Sequence, residues 1–140
     1  MTIEAIALLI LAAQGATTTD GGPACNRDKA DQGIQHDLNM CAHAAFREAD
    51  DALNRQWERT AAYMRQLDTQ PPPIEDGRAS YFDTLLASQR AWLAYRDSHC
   101  ASEGYLARGG SMEPMLVSYC LAELTTERTE QLRQLAEHPE

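Results

Sequence analysis

The chain has 140 residues, enough for one domain with a modest core. It is rich in Ala, Leu, Gln, Glu and Arg, and poor in β-branched residues, so its composition leans helical. A net charge of −9 argues against nucleic acid as a partner, because proteins that bind it carry a basic stripe. The same charge suits either a cationic partner or solubility alone.

The first predicted feature is an apolar run from Ala5 to Ala13, followed by the small residues Gly15 and Ala16. The run is too short to span a bilayer. It has the form of the apolar core and cleavage site of a secretory signal, although the preceding residues lack Lys and Arg and include Glu4. Residues 1–16 are therefore expected to be a signal peptide and 17–24 a disordered mature N-terminus. The mature protein is expected in the periplasm or outside the cell, with no membrane span. Cys25 lies too far beyond the apolar run to be a lipid attachment site.

Cys25, Cys41, Cys100 and Cys120 are an even number of cysteines in a short, exported chain. Two disulfides are the expectation, with three possible connectivities. His43 and His99 lie near Cys41 and Cys100, but there is no Cys-x-x-Cys and the gaps do not fit zinc ribbons or fingers. No metal and no cofactor are expected.

Apolar or small residues then recur every three or four positions: Ile34, Leu38, Cys41, Ala45, Ala49, Leu53, Trp57, Ala61, Met64 and Leu67. This is helical periodicity; the helix can start several residues before Ile34, near Asp28, with Gly33 as a break in that first part. Pro71-Pro72-Pro73 ends the helix. A second helix is predicted from about Ala79 to Ser102, with Phe82, Leu85, Leu86, Gln89, Trp92, Leu93, Arg96 and Cys100 facing inward. Gly104 and Gly109-Gly110 break the chain. Ser111 is a suitable N-cap for a third helix and Pro114 suits its first turn. That helix is predicted to run to about His138, with Val117, Cys120, Leu121, Leu124, Arg128, Leu132 and Leu135 inward. With no repeat and no second domain, residues 25–138 read as an all-α, three-helix, up-down-up bundle with two disulfides.

In that bundle Cys100, Cys120 and Cys41 fall at one end, and Cys25 can fold back to it. The predicted pairs are Cys25–Cys41 and Cys100–Cys120, each contributing ~2–4 kcal/mol. The proximity of all four leaves an exchanged pairing open.

Arg96 and Arg128 interrupt apolar stripes, and a buried guanidinium needs partners. Counting turns from the cysteines makes Asp50 the expected partner of Arg128, with Asn54 and Gln89 completing the network. Asp97 either serves Arg96 or faces solvent. The residues allow a catalytic carboxylate beside arginines or a polar clamp between helices. The clamp is favoured, because no nucleophile–base pair or phosphate loop accompanies them. His36, His43, His99 and His138 form no H-x-x-x-H pair, Trp57 and Trp92 read as core anchors, and no hydrolase, phosphate-loop or dinucleotide motif occurs. The chain is not expected to be an enzyme.

Together, Cys41, Ala49-Asp50, Leu53-Asn54, Gln89-Arg90-Ala91-Trp92, Tyr95-Arg96-Asp97, Cys100, Gly109-Gly110-Ser111, Cys120 and Leu124-Thr125-Thr126-Glu127-Arg128 form a specific pattern. It resembles the lysozyme inhibitor LprI-like family over roughly Cys25 to Leu132. The resemblance implies a small, secreted, helical bacterial envelope domain with paired cysteines, and supplies no catalytic residues. Its functional name implies a cationic lysozyme or other cell-wall hydrolase as partner, to which an acidic domain would be steered. Such an inhibitor must block a cleft holding two carboxylates. The candidate plug is the loop from Ser102 to Pro114, which offers Glu103, Tyr105, Arg108, Ser111 and Glu113. In this reading Arg108 pairs with a cleft carboxylate and Ser111 hydrogen-bonds to one. The alternative is an envelope structural or stress-related protein-binding domain in which the loop merely joins two helices.

Overall fold

The computed structural model describes residues 24–73 and 75–137. The expected signal peptide 1–16, the segment 17–23 and His138 lie outside the described residues. Those described form four helices: α1 (Arg27–Asp31), α2 (Gln35–Asp68), α3 (Tyr81–Gly104) and α4 (Glu113–Ala136), with a 3-10 turn at Tyr105–Ala107.

The extra helix, α1, arises from two local devices. The Asn26 side chain accepts from the Lys29 backbone N–H at 3.1 Å, capping the start. Gly33 at φ +78° closes the end. Its N–H donates to Ala30 O and that of Ile34 donates to Lys29 O, the paired bonds of a Schellman ending. The chain then re-enters helix at once. The 34 residues of α2 extend about 50 Å at the usual helical rise, making it the longest of the described helices.

Contacts along α2 fix the level of the other helices. Asn39 donates to Ser111 O near the start of α4, and the buried Thr60 hydroxyl donates to Leu132 O near its end, at 2.8 Å. At the far end of α2, the Asp68 carboxylate accepts from the Tyr81 and Phe82 backbone N–H groups at 2.7 and 3.1 Å. It thus caps the start of α3 together with Ser80, whose hydroxyl accepts from Asp83 N. The three prolines and the segment after them therefore join helices that are already tied.

Three tiers follow along the molecule. Leu53, Ala61, Met64, Leu85 and Leu132 form the apolar core, with Trp57, Tyr63, Leu67, Phe82 and Trp92 packed around it. Above it lie the buried polar side chains Gln89, Arg96, Thr125 and Arg128. At the opposite end from the apolar core are the cystines Cys25–Cys41 and Cys100–Cys120, the expected connectivity. Both tie segments short in sequence, so they stiffen one end rather than cross-link distant parts.

Some face assignments need correction. Ile34, Leu93 and Leu135 are exposed. Ile34 lies at the break before α2, outside the helix and away from the core. Leu93 sits on α3, which packs mainly on α4 and buries only a narrow stripe. Leu135 lies in the last turn of α4, beyond the core. Ser111 does not cap α4: Met112 holds that position without a side-chain bond, and Pro114 lies in the first turn as expected. The buried Ala42, Thr60 and Thr125 were absent from the apolar stripes read from sequence.

Candidate functional site

The two arginines separate into different networks. Arg96 Nε and Nη2 each lie 2.9 Å from Asp97 Oδ1. Arg96 Nη1 donates to the buried Thr125 hydroxyl at 3.3 Å and reaches Asp50 Oδ1 at 3.5 Å. Asn54 Nδ2 donates to the second oxygen of Asp50. Asp50 therefore faces Arg96, not Arg128. The turn-by-turn count placed Arg128 too near α2; its side chain points toward α3 instead.

Among the described residues Arg128 has only neutral partners: Gln89 Oε1 at 2.9 Å, the Ser88 hydroxyl at 3.0 Å and Gln131 Oε1 at 3.1 Å. Burial lowers its pKa from the usual guanidinium value. Trp92 links the networks, since the Arg96 and Arg128 Cζ atoms lie 5.2 and 5.9 Å from its ring centroid. Nothing in either network presents a nucleophile beside a base. Sequence reasoning missed Ser88, Thr125 and Gln131; the available signal was their helical spacing, four residues from Ser88 to Trp92 and three from Arg128 to each of Thr125 and Gln131.

The loop between α3 and α4 is built from its base upward. Cys100–Cys120 joins the two helices beneath it. Gly104, buried at the last position of α3, lies against Val117 so closely that any Cβ there would collide with Val117 Cγ2. Helix α3 continues directly into the 3-10 turn, and Gly110 N donates back to Ala107 O at 2.8 Å. Glu113 Oε2 accepts from Gly109 N at 2.7 Å, closing the loop on the first turn of α4. The Ser111 carbonyl accepts from Asn39, anchoring the loop to α2. The Arg108 guanidinium lies over the Tyr105 ring at 4.6 Å.

Of the five loop residues singled out from sequence, the structure gathers Tyr105, Arg108 and Ser111 at the apex. Glu113 is turned inward as a backbone acceptor. Glu103 is drawn back along α3, where its carboxylate lies 3.1 Å from His99 Nε2 and His99 stacks on Tyr95. His99, Glu103 and Cys120 approach one another closely enough to suggest a metal site, but Cys120 Sγ is spent in the disulfide. Two ligands remain, too few for a structural ion. Sequence reasoning overlooked Leu106, the most exposed large apolar side chain among the described residues at 86%.

The sequence profile of the family described as Lysozyme inhibitor LprI matches residues 25–132. The chain belongs to that family. The matched span takes in both cystines, both arginine networks and the whole loop. A protein of Rhizobium meliloti (strain 1021), described as Uncharacterized protein R02472, is 41% identical over 136 residues, covering 97% of this chain and 95% of the relative. No solved structure matches. No helix among the described residues is long and apolar enough to cross a membrane, and the two disulfides fit an oxidising compartment.

Proposed function

We propose that the protein is a periplasmic or secreted binding domain that inhibits a lysozyme or another peptidoglycan hydrolase, without catalytic activity of its own. Membership of the LprI family carries this reading. The pre-formed loop between α3 and α4 supports it, because a loop held before binding loses less entropy on docking. The net charge of −9 supports a cationic partner reached by electrostatic steering. In this reading the long helices, in up-down-up order, are the support for the loop; the level contacts along α2 favour that order. The arginine networks act as clamps that fix helix register.

The test is lysis of a peptidoglycan suspension by cationic lysozymes, with and without the oxidised protein, at low and moderate salt. Dose-dependent protection that weakens with salt is expected. The absence of protection against every lysozyme tried would overturn the inhibitor reading. It would favour the second one, an envelope domain that binds another protein.

A further inference from the structure

The tip of the loop differs in chemistry from the rest of the molecule. Between Tyr105 and Met112 the only charged residue is Arg108, in a chain whose net charge is −9. The two flanking carboxylates are engaged elsewhere, Glu103 with His99 and Glu113 with the Gly109 N–H. What the tip presents is apolar and aromatic: Leu106 is 86% exposed, Tyr105 56% and Met112 45%. Burying a leucine is favourable, so one displayed on a braced turn is poised to act as an anchor.

From this we infer that Leu106 and Tyr105, with Arg108 beside them, enter the sugar-binding cleft of the hydrolase and compete directly with its glycan substrate. The inference rests on the inhibitor reading and assigns its contact residues. Two charge scales select this occupant. The acidic body suits a cationic enzyme surface at long range. The tip lacks a free carboxylate and carries one guanidinium, so it suits a cleft that binds sugar faces and holds two carboxylates. Arg108 already lies over Tyr105, so its charge is displayed before contact. A second copy of the chain suits the tip less well, because docking would bring two strongly acidic bodies together.

The experiment is steady-state inhibition of a cationic lysozyme acting on a soluble chito-oligosaccharide. It compares the oxidised protein with Leu106→Asp, Arg108→Glu and, at the opposite end of the molecule, Leu135→Asp. Competitive inhibition is expected. Leu106→Asp should raise the inhibition constant at least ~10-fold, and Arg108→Glu should also raise it. Leu135→Asp should leave it unchanged. Leu106 is so exposed that its replacement should not move the melting temperature, which separates lost contact from lost fold. If the parent protein inhibits but Leu106→Asp inhibits equally, or if inhibition is non-competitive, the tip is not in the cleft and this inference fails while the inhibitor reading stands. If the parent protein inhibits no lysozyme, both fall. A concentration-dependent dimer abolished by Leu106→Asp would assign the tip to self-association and overturn the inference.

Discussion

Arg128 is the side chain whose surroundings are least expected for its charge. A buried guanidinium usually faces a carboxylate, yet this one is held by two amides and a hydroxyl. Removing a single acceptor should therefore matter more than removing the whole group. Gln89→Ala leaves Arg128 Nε–H unsatisfied at a buried site and should cost about 1–3 kcal/mol in urea unfolding. The double change Gln89→Leu with Arg128→Met replaces the network by apolar volume and should cost less than Gln89→Ala alone. A strictly additive pair, with the double variant the less stable, would show that the guanidinium contributes net stability. Asp50→Ala should cost less than Gln89→Ala, because Arg96 keeps Asp97 and Thr125. If Asp50→Ala abolished inhibition at unchanged stability, the clamp role would be excluded.

At the scale of elements, the boundaries are set by a few local contacts rather than by propensity. Gly33 has open space around it, so its requirement is purely conformational. Gly33→Ala should cost about 1–2 kcal/mol, the penalty for the left-handed conformation. Gly104 is the opposite case: its backbone is ordinary helix and its requirement is space. Gly104→Ala must drive the ends of α3 and α4 apart across Val117, and the expected cost is about 1–3 kcal/mol. It should also weaken inhibition, whereas Gly33→Ala should not; melting curves and lysis assays on the two variants would check the contrast. Both glycines were legible in the sequence as breaks. Only Gly33 behaves as one, while Gly104 ends a helix that it helps to pack, a distinction that depends on where Val117 falls in space. The start of α4 was misjudged at Ser111 for a similar reason. The Ser111 carbonyl is taken by Asn39, a residue 72 positions away that no local rule consults.

For the molecule as a whole, cohesion is divided between its ends. The apolar core lies toward Met64, Leu85 and Leu132, and the loop end relies on cystines. Replacing Cys100 and Cys120 together by Ser should reduce stability by ~2–4 kcal/mol. Inhibition should fall further than the folded fraction, because the base of the loop would loosen while the core persists. Near-ultraviolet circular dichroism beside the inhibition assay would separate the two. Equal loss of fold and inhibition would indicate that the loop end has no separate dependence on its cystine. The helices, the cystine pairing and the arginines' need for partners were readable because periodicity and charge burial leave marks in one dimension. Which arginine meets Asp50, and which loop residue stands furthest into solvent, were not, since both depend on how α3 is rotated against α4.

The parts that hold the loop and the parts that it displays are different residues. Cys100, Gly104, Glu113, Val117 and Cys120 make the frame, while Tyr105, Leu106, Arg108 and Met112 contribute little to it beyond their backbone. A chain divided in this way is a natural display scaffold. The apex can be rewritten by substitution without reopening the folding problem, so relatives could diverge in target while remaining alike in architecture, and a library built on these few positions would explore specificity at little expense in stability.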